Sequence, residues 1–242
     1  IINQQIIVSG AFWLECLTSV VSQVCKHDHQ ISSLVWMTPY VIDRPDASVD
    51  IVITENAGIL HVLACSNRRD VKISHVEATM KRSAESKAMD KRLPIQLLKD
   101  RSELTIQHDY IYSLFADIGF HYGKCYRLID KSYCSRKYCL SELIDTMCEN
   151  RGYNYFHPGI VDAALQSCLG MSYVDKVAES AHLPFSLKGI RSYQPMSMAR
   201  YVYALASNQT LKSKAYHLMF LDENGDVLTY IHEFIGRRVS PA

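Results

Sequence analysis

The segment Tyr155-Phe156-His157-Pro158-Gly159-Ile160-Val161-Asp162-Ala163-Ala164-Leu165-Gln166 sets one carboxylate inside an apolar run. Read as a buried helix, it puts Gln166 one turn after Asp162 on the same face. A carboxyl group in low dielectric resists ionisation, so its pKa rises and it can act as an acid near neutral pH. A glutamine one turn away can fix that acid's orientation by a hydrogen bond. The alternative is that Asp162 lies in the first helical turn, where a carboxylate suits the helix dipole. The segment alone leaves both readings open.

The elements that must position this pair are those of an ordinary globular chain. At 242 residues it suits one large domain or two fused small ones. Its hydrophobic content of 48% and charged content of 21% allow a sizeable core. A net charge of +1 encodes no strong pull toward nucleic acid or an anionic membrane. No apolar run approaches the ~20 residues that span a bilayer. Ile1 to Leu17 is apolar but lacks the basic lead of a secretory signal. The expectation is a soluble, cytoplasmic protein.

The cysteines are Cys16, Cys25, Cys65, Cys125, Cys134, Cys139, Cys148 and Cys168. They form no CxxC pair, and Cys134/Cys139 is a poor match to zinc-ligand spacing. Cys16, Cys25 and Cys168 fall in apolar runs, where a free thiol behaves as a small hydrophobe. A reducing compartment fits this usage, and no metal site is expected.

Gly10 to Cys25 is apolar nearly all round, which predicts a central buried helix. Strands are predicted at Ser33–Ile42, Val49–Glu55, Ile59–Cys65 and Val71–Met80, divided by turn residues. Lys81–Arg92 is charged with mixed signs and reads as a solvated linker rather than a nucleic-acid contact. Beyond it the plan repeats. A short helix is predicted at Asp109–Ile118, a strand at Lys124–Lys131, and an apolar helix over Pro158–Val174. Strands follow at Leu187–Tyr193, Arg200–Ala206, Ala215–Leu221 and Val227–Ile235. Glu223-Asn224-Gly225-Asp226 predicts a hairpin with positive φ at both central residues. Two halves, each a buried helix followed by an antiparallel meander, give an α+β fold with two sheets, each wrapped around its own helix.

Several segments, taken with Asp162, resemble the dehydratase domains of modular polyketide synthases. That family's second catalytic motif, His-Pro-x-x-x-Asp-x-x-x-Gln, is matched in full by His157, Pro158, Asp162 and Gln166. Its Tyr-Gly-Pro-x-Phe motif resembles Tyr122-Gly123-Lys124-Cys125-Tyr126, with lysine for proline and tyrosine for phenylalanine. Leu183-Pro184-Phe185-Ser186-Leu187 matches its Leu-Pro-x-x-Ile/Leu stretch, and Asp222 to Gly225 its Asp-x-x-Gly hairpin. The resemblance covers essentially the whole chain, in order. It implies a double hotdog fold, with one half over residues 1–85, a linker over 86–104, and a second half over 105–242 carrying the Asp/Gln motif.

The family's first catalytic motif, His-x-x-x-Gly-x-x-x-x-Pro-Gly, is matched only at its last glycine, Gly10. Ser9 stands for the proline and Gln4 for the internal glycine, and the histidine falls at the position before Ile1. Among the ten histidines present, none is a convincing substitute. His157, just ahead of Pro158, reads as a helix-entry residue.

The resemblance implies a β-hydroxyacyl thioester on the phosphopantetheine arm of an acyl carrier protein, with no cofactor of the domain's own. A histidine removes the α-proton, Asp162 protonates the leaving hydroxyl, and Gln166 holds the acid. The backbone N–H of Gly10 is expected to meet the thioester oxygen, with Tyr122, His157 and Pro184 as further substrate-binding residues. Expected partners are the carrier protein, neighbouring synthase domains and a second copy in a homodimer. Lys188 and Arg191 offer basic groups for an acidic carrier, or a solvated strand face. Three readings remain: a dehydratase; the same fold with double-bond migration or ring closure, motivated by Gln4 and Ser9; and a non-catalytic scaffold.

Overall fold

A computed structural model of the chain describes residues 1, 5–68, 70–83, 91–144, 153–174, 182–210 and 213–238. Gln4 and Cys148 lie outside them. The first helix, α1 (Gly10–Val24), starts at Ser9, whose hydroxyl accepts the Ala11 N–H at 3.2 Å and so satisfies one of the orphan donors of a helix start. Cys25 ends it by turning extended. Four strands follow: β1 (His29–Trp36), β2 (Asp50–Asn56), β3 (Ile59–Arg68) and β4 (Val71–Arg82). They pair antiparallel in the order β2-β3-β4-β1.

The second half runs α2 (Ile95–Asp100), β5 (Leu104–Gln107), α3 (His108–Asp117), β6 (Ile129–Cys134), β7 (Tyr138–Leu143), α4 (Pro158–Val174), β8 (His182–Ser192), β9 (Tyr201–Gln209), β10 (Ser213–Leu221) and β11 (Val227–Arg238). Its strands continue the sheet as β8-β11-β10-β9-β7-β6-β5. The expected two sheets are therefore joined: β1 pairs with β8 through Ser33–Lys188, Leu34–Leu187 and Val35–Ser186, making one sheet of eleven strands. The curved sheet closes over α1 and α4, and one apolar cluster spans both halves, from Leu14 and Leu17 to Ile160, Leu218 and Phe220.

Several boundaries depart from the sequence reading. The first strand starts at His29 and stops at Trp36 rather than reaching Ile42, because Pro39 has no N–H to give and restrains the residue before it. Lys124–Tyr126 is a 3-10 turn, and the strand begins only at Ile129. The short elements α2, β5 and β7 escaped the pattern search; α2 lies within the stretch 86–104 expected as a linker. In the 222–226 hairpin, Gly225 alone of the two central residues has positive φ (88°). Asp222 Oδ1 accepts the N–H of both Asn224 and Asp226, an Asx-type turn in place of the two-residue one.

Small residues let α4 lie close to the sheet. A Cβ at Gly170 would sit 2.6 Å from Cys134 Sγ and 2.9 Å from Cys139 Sγ. Both thiols are fully buried on the β6–β7 pair beneath the helix. Gly170→Ala gains helix propensity but overpacks this seam, so a net loss of about 1–3 kcal/mol is expected. Urea unfolding monitored by circular dichroism checks this; an unchanged midpoint would show that the seam relaxes freely.

Candidate active site

Helix α4 carries Asp162 as its fifth residue, past the start of the helix and only 7% exposed. Its Oδ1 accepts the Ser9 hydroxyl at 2.9 Å, and its Oδ2 accepts Gln166 Nε2 at 2.7 Å. Burial pushes the carboxyl up to about 6, and these two donors pull it part of the way back. The side chain is therefore placed as a buried acid, one that titrates near neutrality, rather than as an exposed charge on the helix dipole.

Gln166 is locked in one orientation. Its Nε2 also donates to the Tyr126 carbonyl at 3.0 Å, and its Oε1 accepts the Tyr112 hydroxyl at 3.2 Å. The Ile129 N–H in turn donates to the Tyr112 oxygen at 3.1 Å, and the Arg127 guanidinium lies 4.8 Å from the Tyr112 ring centre. Three tyrosines thus frame the acid from α3 and the loop after it. Burial, then the Asp162 charge, pushes the Tyr126 hydroxyl up to about 12, with Ser9 opposing. Burial likewise carries Tyr122 well above its usual range, and its ring packs edge-on to Phe115 at 5.1 Å. These hydroxyls stay neutral at physiological pH and act as dipoles and donors.

The start of α1 forms the opposite wall. Gly10 is its first residue, where backbone N–H groups have no partner within the helix. The Gly10 carbonyl accepts Trp36 Nε1 at 3.1 Å, and a Cβ at Gly10 would meet Pro184 at 3.4 Å. The structure therefore brings Asp162, Gln166, Tyr122, Gly10 and Pro184 around one place. His157 stands apart. Its Nδ1 accepts the Ile160 N–H at 3.3 Å, capping α4, and its ring stacks edge-on to Tyr153 at 5.0 Å. With Thr18, His29 and Met196 it lines a cleft of about 420 Å³ beyond the start of α4. Among the described residues, no histidine ring is hydrogen-bonded to Asp162. Lys188, considered for carrier docking, forms an ion pair with Glu233 at 3.1 Å.

Glu15 was missed in the sequence. It is 5% exposed on α1, and its carboxylate accepts the N–H groups of Asn154, Tyr155 and Phe156 at 2.9, 3.0 and 2.6 Å. The signal that singled out Asp162, an acid inside an apolar helix, was equally present at Glu15. Ser9 as a partner of Asp162 had no such signal, because the contact spans 153 residues of chain.

The raised pKa carries a stability consequence. Asp162 moves from 3.8 to about 6 on folding, so its contribution is fully present below the unfolded value and lost as pH rises through about 6. Above that, holding the charge costs roughly 3 kcal/mol, from ~1.4 kcal/mol per pKa unit. Asp162→Asn keeps the shape without the charge. It is expected to be more stable than the parent by about 1–3 kcal/mol at pH 8 and no more stable at pH 4. Denaturant unfolding at the two pH values checks this; an equal difference at both would mean that Asp162 is not a raised-pKa group.

A family model described as "Polyketide synthase dehydratase N-terminal domain" matches residues 91–242. The chain is 27% identical over 245 residues to polyketide synthase PksN of Bacillus subtilis (strain 168), covering 96% of this chain and 4% of that protein. It is 20% identical over 256 residues to polyketide synthase PksL of the same organism, covering 98% of this chain and 6% of that protein. The chain thus spans a small fraction of the length of these relatives. The crystal structure of a trans-AT polyketide synthase dehydratase domain from Brevibacillus brevis superposes with a TM-score of 0.88 at 20% identity. That match covers 99% of this chain and 88% of the other. The likeness in three dimensions bears out the expected α+β double hotdog.

Proposed function

The chain belongs to the polyketide synthase dehydratase family, and from that premise we propose that it removes water from a β-hydroxyacyl thioester to give the α,β-unsaturated thioester. The observation that carries this reading is the buried Asp162 carboxyl, raised to about 6 and held by Gln166 and Ser9. A neutral acid at working pH suits a hydroxyl that leaves only when protonated. The substrate is presented on the phosphopantetheine arm of an acyl carrier protein, and the domain needs no cofactor of its own. Neighbouring synthase domains and a second copy in a homodimer complete the cytoplasmic assembly.

In this mechanism a base takes the proton next to the thioester carbonyl, and the electron pair of that C–H bond becomes the new double bond. Asp162 gives its proton to the β-hydroxyl oxygen, the C–O bond breaks, and water departs. The Gly10 N–H faces the thioester oxygen as it gains charge. Tyr122 and Pro184 shape the walls, and His157 acts on the substrate indirectly by fixing the start of α4. The base is assigned to a histidine at the position before Ile1.

Asp162, with two side-chain donors and a raised pKa where the structural acid Glu15 is fully partnered, favours this reading over a scaffold. In a polypeptide that includes the position before Ile1, a carrier-bound β-hydroxyacyl thioester is expected to lose one water, read by mass spectrometry. Asp162→Asn is expected to slow this by about 10²–10⁴-fold. The parent rate should fall as pH rises above about 6, because the acid must be protonated to act. A moved double bond or a new ring from an enoyl substrate, without dehydration, would replace this reading with altered chemistry. Silence with both substrates would replace it with a scaffold.

A further inference from the structure

Ser9 occupies a position where the family's motif carries proline, and its hydroxyl reaches Asp162 Oδ1 at 2.9 Å. The two oxygens of that carboxyl have unequal partners. Oδ2 faces Gln166 Nε2, a group that can only donate. Gln166 cannot turn over, because its Oε1 receives the Tyr112 hydroxyl and its Nε2 also serves the Tyr126 carbonyl. Oδ1 faces a hydroxyl, which can donate or accept by rotating about one bond. Ser9 Oγ already accepts the Ala11 N–H and also meets the Tyr126 hydroxyl, which can accept as readily as donate and so leaves the second Ser9 lone pair to Asp162.

We propose that Ser9 is a positioning residue that fixes the transferable proton of Asp162 on Oδ1 and stabilises the carboxylate left when that proton departs. In the neutral acid, the Oδ1–H bond points to Ser9 Oγ. When the substrate binds, this O–H bond turns from Ser9 Oγ to the β-hydroxyl oxygen; the Oδ1–H bond breaks as the new O–H bond forms, water leaves with the C–O electron pair, and Ser9 rotates to donate to Oδ1. Proline has no hydroxyl and offers neither state. This inference rests on the dehydratase reading for its chemistry, but not for its test.

The other titratable groups facing the acid are Tyr112 on α3 and Tyr122 and Tyr126 on the loop that follows. Arg127 lies behind Tyr112, and Tyr153 beside Tyr126. Burial holds the hydroxyls of Tyr112, Tyr122 and Tyr126 above the neutral range. Of Asp162 and these three tyrosines, Asp162 is therefore the one that titrates near neutrality, at about 6.

The test compares a parent polypeptide that includes the position before Ile1 with its Ser9→Gly and Ser9→Thr variants. Glycine removes the hydroxyl yet remains an acceptable helix N-cap, so α1 is retained, and threonine keeps both the hydroxyl and the cap. The Asp162 carboxyl is titrated directly by carbon-13 NMR of labelled aspartate, with Asp162→Asn supplying the assignment. Dehydration is followed across the same pH range. In Ser9→Gly the midpoint is expected to move up by about one unit, because a donor to the charged form is gone. The low-pH plateau rate is expected to fall roughly tenfold even as the descending limb moves up. Ser9→Thr is expected to restore both. A purely structural cap would move neither the midpoint nor the limb, and an unmoved midpoint in Ser9→Gly overturns the proposal. If the midpoint moves but no chain dehydrates, the proton placement stands and the dehydratase reading falls.

Discussion

The two central helices hold each other by their carboxylates. Ser9, at the start of α1, donates to Asp162 on α4. Glu15, farther along α1, receives the backbone N–H groups of residues 154–156 that lead into α4. Six residues forward on one helix thus correspond to several backward on the other, so the helices run in opposite senses with each start against the other's acid. Two acids this deeply placed are costly unless their lone pairs are filled. Glu15 fills its own with three main-chain N–H donors and the Ser19 hydroxyl. Asp162 has only two side-chain donors and a raised pKa. One acid is committed to architecture, and the other is left short of partners and free to change its charge.

This difference leaves the Asp162 carboxyl less compensated than that of Glu15. The Tyr112 hydroxyl and the Tyr126 carbonyl fix Gln166, which donates to Asp162, so the acid is held without being fully compensated. Such an arrangement favours a group that exchanges a proton over one that merely braces the fold. It also separates the roles of neighbouring residues in one motif. His157 and Pro158 build the helix start, while Asp162, one turn on, meets the opposing half through Ser9, and Gln166, a turn further, ties it to Tyr112 and Tyr126 of its own half.

Much of this was legible because period and burial coincide. The apolar stretches became α1 and α4 nearly as read, and Gln166 lies one turn from Asp162 and bonded to it, as their spacing implied. What stayed hidden was of two kinds. Short elements such as α2, β5 and β7 carry too few residues for a period to show, and tertiary pairing creates them. Contacts across the chain left no mark: the β1–β8 junction and the Ser9–Asp162 bond depend on how the halves meet, which no local window contains. Glu15 fell between these. It carried the same pattern as Asp162 but no motif, and the pattern alone does not say whether a buried acid braces or reacts.

The β1–β8 junction sets a schedule for biosynthesis. The strand that completes one edge of β1 lies ~150 residues downstream, so at 5–20 residues per second a ribosome needs roughly 8–30 s to supply it. During that interval the nascent first half presents an open strand edge and a helix, α1, lacking the partner that shields Glu15. Unpaired edges of this kind are templates for pairing between chains. Where several ribosomes translate one message, this interval is the time in which neighbouring nascent chains can entangle.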